Sequence, residues 1–366
     1  MGTEHVTGYP RLTVDLGPVA EATRSLAARL HDGGYSLLGV TKSVDGEPSV
    51  GRVLLEAGCT GLADSRLPAL RRLAGRGLGP LTLIRAPQAD ELADAAAVAQ
   101  RVLLCDPSTA GALGERAREA PVEVLLTVDL GDRREGVLPD AAPAVAARLG
   151  RLPGIRLTGI SANFACLSGQ LPSAALFRQA EDVLAVIAGE CAAEPTLSLG
   201  GTCVLQHLEG FRPRFATEIR SGGGPLYGYD FVTMAPLDGL TRTDPVLTAV
   251  VLECSRKPPA PGGAGGRDAF GHVPEVDLPD ADAHYALIHL GRRDCEPRGL
   301  RPLLPGAYLA GATSDVAVLI TPQPLAAGDT VSFAVDYDAL VRAVTSPFVT
   351  REFVARPAST SPKGDA

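Results

Sequence analysis

The sequence predicts a (β/α)8 barrel followed by a smaller, mostly β domain. Three observations predict it. Short apolar runs alternate with helical stretches eight times between residues 12 and 230, at near-constant spacing. The alternation stops near residue 238, where short strand-like runs and Pro/Gly-rich turns take over. Nothing after the first strand resembles GxGxxG, which makes an open doubly wound sheet the runner-up.

The expected barrel strands are Ser36–Lys42, Thr60–Asp64, Leu81–Arg85, Val102–Asp106, Val122–Asp129, Leu157–Ala162, Thr196–Leu199 and Ala216–Ser221. Each is a short, mainly apolar run of the kind a sheet buried on both faces requires. The helical stretches are Pro18–His31, Pro48–Ala57, Arg66–Ala74, Ala89–Gln100, Ser108–Ala120, Ala141–Arg151, Ser173–Glu190 and Thr202–Leu208. Beyond the barrel, Thr248–Leu252, Tyr285–Leu290, Ala317–Ile320 and Thr330–Val335 read as strands, and Asp338–Val344 as a helix. Residues 258–284 open on Pro-Pro-Ala-Pro-Gly-Gly and read as a long irregular excursion. The reading gives a barrel over 12–238, a β domain over 239–355 and a disordered tail over 356–366.

Composition removes several function classes. The net charge of −8 and pI of about 5.4 leave no basic stripe to neutralise phosphates, so nucleic acid is not expected as a partner. No apolar run approaches the ~20 residues that span a bilayer, and the start Met-Gly-Thr-Glu-His lacks the features of a signal peptide. The seven cysteines are scattered, without a CxxC or a His/Cys cluster, which argues against a disulfide framework or a zinc site. A reduced, cytoplasmic setting is the expectation.

Lysine is the rare base of this chain. Only Lys42, Lys257 and Lys363 occur, and Lys42 alone ends an apolar run, Tyr35-Ser-Leu-Leu-Gly-Val-Thr-Lys. A strand-end lysine in a buried setting is expected to lose part of its charge, and a free amine is what Schiff-base chemistry needs. Other polar groups follow later strands: Asp64-Ser-Arg, Asp129-Leu-Gly-Asp-Arg-Arg134, Ser161-Ala-Asn163, Ser198-Leu-Gly200-Gly201-Thr202 and Arg220-Ser221-Gly222-Gly-Gly. In a closed barrel all of them meet on the C-terminal rim. The two glycine-rich loops suit a phosphate, because small residues let backbone N–H groups approach it. Lysine after strand one with a phosphate cradle after strands seven and eight points to pyridoxal 5′-phosphate. A sugar-phosphate barrel with Lys42 as an aldolase-type lysine is the competing reading.

At these motifs the chain resembles the alanine racemase fold group of pyridoxal-phosphate enzymes (fold type III), within it the alanine/ornithine racemase branch. The matching pieces run in the family's order from Arg11-Leu-Thr-Val-Asp-Leu through Gly39-Val-Thr-Lys-Ser, Val128-Asp-Leu-Gly-Asp-Arg-Arg-Glu-Gly, Gly159-Ile-Ser-Ala-Asn-Phe, Leu199-Gly-Gly-Thr and Ile219-Arg. They continue with Leu226-Tyr-Gly, Leu290-Gly-Arg-Arg-Asp, Gly311-Ala-Thr-Ser-Asp and Thr345-Ser-Pro-Phe-Val. The resemblance implies that Lys42 holds the cofactor and serves as one acid/base group at Cα. It implies Arg220 against the pyridine nitrogen, where a guanidinium stays charged and does not readily protonate the ring. Asn163 stands where alanine racemases have a histidine bonded to that arginine, and its amide is expected to accept in its place. The remaining cofactor contacts it implies are Ser198, Gly200, Gly201, Thr202, Ser221, Gly222 and Tyr227. Arg134, Arg292, Ser314 and Asp315 are implied near the substrate, the last three from a β domain that completes the partner subunit's site in a head-to-tail homodimer.

Two departures qualify the resemblance. Arg292 replaces the β-domain tyrosine that alanine racemases use as second base, and Val316 stands where the ornithine-type branch commonly has a histidine after Ser-Asp. Asp294, Asp315 and Tyr337 are the other β-domain candidates, with Asp294 and Asp315 expected to pair with Arg292 and Arg293. The expectation is an enzyme acting at Cα of an amino acid, most directly a racemase or epimerase. Retro-aldol cleavage, decarboxylation or a non-catalytic cofactor carrier are the alternatives.

Overall fold

The computed structural model describes residues 8–118, 120–261, 265–268, 270–273 and 276–355. The tail expected over 356–366 lies outside them. The chain divides into two compact units. One runs from Leu16 to Thr243. The other joins the residues up to Asp15 with those from Asp244 onward.

The first unit is a closed barrel of eight parallel strands. They are β2 (Tyr35–Val40), β3 (Gly61–Asp64), β4 (Leu81–Leu83), β5 (Arg101–Leu104), β6 (Val122–Thr127), β7 (Ile155–Asn163), β8 (Thr196–Gly200) and β9 (Ala216–Ser221). Pairing of β2 with β9, Tyr35 opposite Thr217 and Gly39 opposite Ser221, closes the ring. Helix α1 (Leu16–Asp32) shows how the outer layer forms: Val19, Ala22, Leu26 and Leu30 recur at helical spacing and are buried. Local signals start the others. Helix α2 (Pro48–Glu56) has proline in its first turn, α3 spans Leu67–Ala74, and α4 spans Leu92–Val98. In α5 (Pro107–Gly114), Asp106 caps the Thr109 N–H at 2.8 Å. Helix α6 is Ala142–Leu149, and α7 (Ala174–Ile187) is capped by Ser173. After β8 the expected helix is instead a 3-10 stretch, Thr202–His207. After β9 comes the five-residue α8 (Gly223–Tyr227), then the short pair β10 (Tyr229–Asp230) and β11 (Ala235–Pro236).

The second unit is an eight-stranded, largely antiparallel sheet. Its members are β1 (Arg11–Asp15), β12 (Val246–Lys257), β13 (Ala283–Ile288), β14 (Leu300–Pro302), β15 (Tyr308–Ala312), β16 (Ala317–Thr321), β17 (Thr330–Val335) and β18 (Thr350–Val354), with α9 at Tyr337–Thr345. Strand β1 corrects the sequence reading, which counted residues 12–15 with the barrel. It pairs antiparallel with β12, parallel with β18, and Arg11 reaches Glu352 at 3.0 Å. Strands β14, β15 and β18 were not expected. Their runs are short, β14 ends on a Pro, β15 is interrupted by a Gly, and β18 carries two charged residues, so their partners rather than their composition make them strands.

Candidate active site at the barrel rim

The rim is built in layers by strand register. Asn163 on β7 lies opposite Gly200 on β8, and Gly200 opposite Arg220 on β9. One layer deeper, Ser161 lies opposite Ser198 and Ser198 opposite Glu218. Alternation along β9 sends Glu218 and Arg220 to the same face.

Arg220 is 5% exposed. Its Nη1 donates to Ser198 Oγ at 2.5 Å and its Nη2 to the Ala162 carbonyl at 3.0 Å. Burial pulls its pKa down to about 10, against the opposing pull of Glu218. Among the described residues no carboxylate pairs with it directly. The expected bond to the Asn163 amide is not the one formed. Asn163 Nδ2 donates to Asp132 Oδ2 at 3.1 Å, because the Asp129–Arg133 turn brings that buried carboxylate over the end of β7. Asp132 also accepts from the Leu167 N–H at 2.9 Å and the Ser168 N–H at 3.2 Å, and lies 3.6 Å from Arg134. Arg134 is paired with Glu135 as well, Nη2 to Oε1 at 2.6 Å.

Gly200 is where Arg220 and Asn163 converge. A Cβ there would sit 2.3 Å from Arg220 Nη2 and 2.7 Å from Asn163 Oδ1. The loop after β9 is equally tight: a Cβ at Gly222 would meet the Val40 carbonyl at 2.9 Å, and one at Gly223 the Tyr229 carbonyl at 2.6 Å. Gly201 holds φ +103°, a left-handed backbone that lets the chain turn from β8 into the 3-10 stretch. Over this backbone floor the hydroxyls of Thr202 and Ser221 stand 3.1 Å apart, with the Gly223 and Gly224 N–H groups donating to them at 3.0 and 3.2 Å.

Lys42 reaches the same rim by a different route from the one expected. Strand β2 ends at Val40, and Lys42 opens a 3-10 turn, Lys42–Val44, closed by Asp45 in the left-handed region at φ 51°. Its side chain is therefore exposed rather than buried. Its neighbours are fixed on both sides. Thr41 Oγ1 donates to Asp64 Oδ2 at 2.8 Å, and Ser43 Oγ meets Tyr227 Oη at 2.8 Å. The second bond ties the lysine turn to the end of α8.

Ser198, expected against a cofactor, is fully buried beneath Arg220. Its hydroxyl accepts from Arg220 and donates to Glu218 Oε1 at 2.5 Å. Glu218, Asp132 and Ser43 escaped the sequence reading. A signal existed for Glu218: it stands two residues before Arg220 on a strand, and so shares its face.

In the β unit, Arg292, Ser314 and Asp315 do come together. Loop Gly291–Asp294 packs on loop Thr313–Val316, with the Arg292 N–H donating to the Thr313 carbonyl at 3.0 Å. Asp315 pairs with Arg293 at 3.3 Å and accepts from Ser314 Oγ at 2.5 Å. Asp294 pairs with no arginine among the described residues. It is buried and accepts from the Gly291 N–H at 2.8 Å. Arg292 instead lies 3.6 Å from Asp268 and stacks over the Phe270 ring at 4.3 Å. Tyr337 opens α9.

Known proteins share this architecture. The family model described as alanine racemase, N-terminal domain, matches residues 14–230. A lysine racemase of Thermotoga maritima is 30% identical over 353 residues, covering 94% of this chain and 98% of that protein. An ornithine racemase of Acetoanaerobium sticklandii is 25% identical over 354 residues, covering 94% and 100%. Among solved structures, the alanine racemase from Streptomyces coelicolor A3(2) matches with a TM-score of 0.75 at 18% identity, over 97% of this chain and 100% of that one. The D-threonine aldolase from Filomicrobium marinum shares the fold with a TM-score of 0.69 at 16% identity, over 92% and 88%. The chain belongs to the alanine racemase family.

Proposed function

We propose that this amino-acid racemase holds pyridoxal 5′-phosphate at the barrel rim and acts on a basic amino acid. The observation that carries the cofactor is the convergence on one rim of a primary amine, a buried guanidinium and a backbone-floored pair of hydroxyls. These residues fit the group. Lys42 would hold its aldehyde carbon, and Thr202, Ser221 and the backbone of Gly222 its phosphate. Arg220 would face its ring nitrogen, and Gly200 leaves the space that a side chain would fill. Bound there, the cofactor would supply an electron sink that acidifies the Cα–H bond of an amino acid.

The protein's own part is positioning and proton transfer. Lys42 would move a proton at Cα on one face, and racemisation needs a second acid/base group on the other. Arg292 is a poor base, because a guanidinium does not lose its proton near neutrality. We read Arg134, together with Arg292 from the β unit of a partner subunit, as partners of the substrate carboxylate. Ser314 and Asp315 would stand beside Arg292 on that same partner subunit in a two-fold homodimer. The preference for a basic substrate rests on the lysine and ornithine racemases that the chain resembles over nearly its full length.

The test is purified protein in deuterated water with single enantiomers of lysine, ornithine and alanine. Chirality should be lost as deuterium enters Cα, faster for the two basic substrates. Exchange with retained chirality, or release of an aldehyde or carbon dioxide, would overturn racemisation. Borohydride reduction should fix the cofactor on Lys42, and Lys42→Arg should lower turnover by about a thousandfold or more. An adduct on Lys257 would refute the site. A fully active monomer at micromolar concentration would refute the shared one.

A further inference from the structure

Arg220 poses an electrostatic problem. A buried guanidinium without a counter-charge is costly, yet no carboxylate among the described residues touches it. Its Nη1 lies 2.5 Å from Ser198 Oγ, and that hydroxyl lies 2.5 Å from Glu218 Oε1. Glu218 is itself 5% exposed. Its other oxygen, Oε2, accepts from Arg101 Nη1 at 2.8 Å, and Arg101 continues to Glu123 at 3.3 Å. The order from rim to floor is thus guanidinium, hydroxyl, carboxylate, guanidinium, carboxylate. All five groups are set by register: Ser198 lies opposite Glu218, Arg101 opposite Glu123, and Glu218 and Arg220 share one face of β9.

From this geometry we infer that Glu218 is a positioning residue for Arg220, acting through the Ser198 hydroxyl. The inference rests on the cofactor reading proposed above. Ser198 has one proton to give. Glu218 takes it, so the serine oxygen must face Arg220 as an acceptor. The carboxylate thereby orients the hydroxyl, and the hydroxyl orients the guanidinium. Its negative charge lies one hydroxyl away, close enough to support a buried cation. It does not occupy the Arg220 N–H groups as a bidentate ion pair would. Those donors stay available to a neutral acceptor such as a ring nitrogen. Arg101 on the far side holds the other Glu218 oxygen, Oε2, without touching the rim.

A purely structural alternative is that Glu218 exists only to pair with Arg101 at the barrel floor. Full-length Glu218→Gln, Ser198→Ala, Ser198→Thr, Arg101→Gln and the Glu218→Gln/Ser198→Ala double variant separate the two. The readouts are melting temperature, pyridoxal 5′-phosphate affinity of the apoprotein by fluorescence titration, and the visible spectrum of the loaded protein across pH. Glu218→Gln and Ser198→Ala should each weaken the cofactor about tenfold, as loss of one hydrogen bond to a charged group implies. Both should displace the spectral titration in the same direction. The double variant should be no worse than the weaker single, and Ser198→Thr should come back near wild type. Arg101→Gln should lower the melting temperature with little change in affinity. Additive losses would overturn the inference. So would a silent Ser198→Ala beside equal losses in Glu218→Gln and Arg101→Gln. If Glu218→Gln does not fold, the Ser198 pair still decides, because an unaltered affinity in Ser198→Ala refutes the relay. A wild-type apoprotein that takes up no cofactor would refute the functional reading instead, whatever the variants do.

Discussion

Gly200 matters for the atom it lacks. Its bare Cα faces Arg220 across one strand pair and Asn163 across the other, and an added Cβ would land within 2.3 Å of the guanidinium. Gly200→Ala should therefore displace Arg220, costing ~1–3 kcal/mol of stability as overpacking does. Cofactor affinity should fall at least tenfold by titration. Asp64 carries a pH dependence of its own. It is 1% exposed, and burial raises its carboxyl above the ordinary range against the pull of the Thr41 hydroxyl and the Arg66 N–H. A carboxyl whose pKa is raised on folding favours the native state below its unfolded pKa. That contribution is lost as pH rises through the folded value. Asp64→Asn removes the buried charge and keeps a partner for Thr41. Its melting temperature should gain on wild type as pH rises from the acid side to neutrality. A constant difference across that range would refute the assignment.

Two features act at the scale of elements. Strand β7 carries a register shift against β6, where Val124 pairs with Leu157 but Leu125 with Gly159. Gly159 sits at φ +146°, and a Cβ there would meet the Thr196 carbonyl of β8 at 1.9 Å. The shift sets the phase in which Ser161 and Asn163 reach their layers, so Gly159→Ala should break the β7–β8 pairing. Soluble yield should drop and the melting temperature fall, where an exposed glycine such as Gly189, with open space around it, should tolerate alanine. The link from β4 to α4 is electrostatic. Arg85 grips Glu91 through two bonds of 2.6 Å, and Glu91 also accepts from the Gln88 N–H at 2.9 Å. The Arg85 bond, chiefly, holds the Glu91 carboxyl down at about 2. A depressed carboxylate contributes stability above its unfolded pKa and loses it as pH falls through the folded value. Glu91→Gln should thus melt earlier than wild type at pH 7, and the gap should close as pH falls from the ordinary carboxylate range toward 2.

At the scale of the whole molecule, the amino-terminal strand belongs to the carboxy-terminal sheet. Strand β1 pairs with both β12 and β18, so the β unit is assembled from the two ends of the chain. Removing residues 1–15 should expose β12 and β18, while the barrel keeps all eight strands. Hydrogen exchange should show protection lost in Val246–Lys257 and Thr350–Val354 and kept in β2 to β9. Loss of protection in the barrel strands first would contradict this division. No helix among the described residues is long and apolar enough to cross a membrane.

The sequence by itself determined the eight-fold alternation, the family and the order of Lys42, the Gly200–Thr202 turn and Arg220 along the rim. These are local properties: apolar runs, breakers and caps are written within a few residues of the element they make. Tertiary structure alone decided which sheet would take Arg11–Asp15, because a strand's partners are chosen by pairing with distant chain. It also decided that β2 stops short of Lys42, leaving the lysine exposed on its own 3-10 turn. It turned Asn163 toward Asp132 and Arg292 toward Asp268 and Phe270, and stacked Arg220, Ser198, Glu218 and Arg101 into one column. That column needs β8 in register with β9 and Arg101 brought across the floor from β5. Residue spacing records the face on which a side chain falls, but only closure of the barrel sets which side chain lies opposite it.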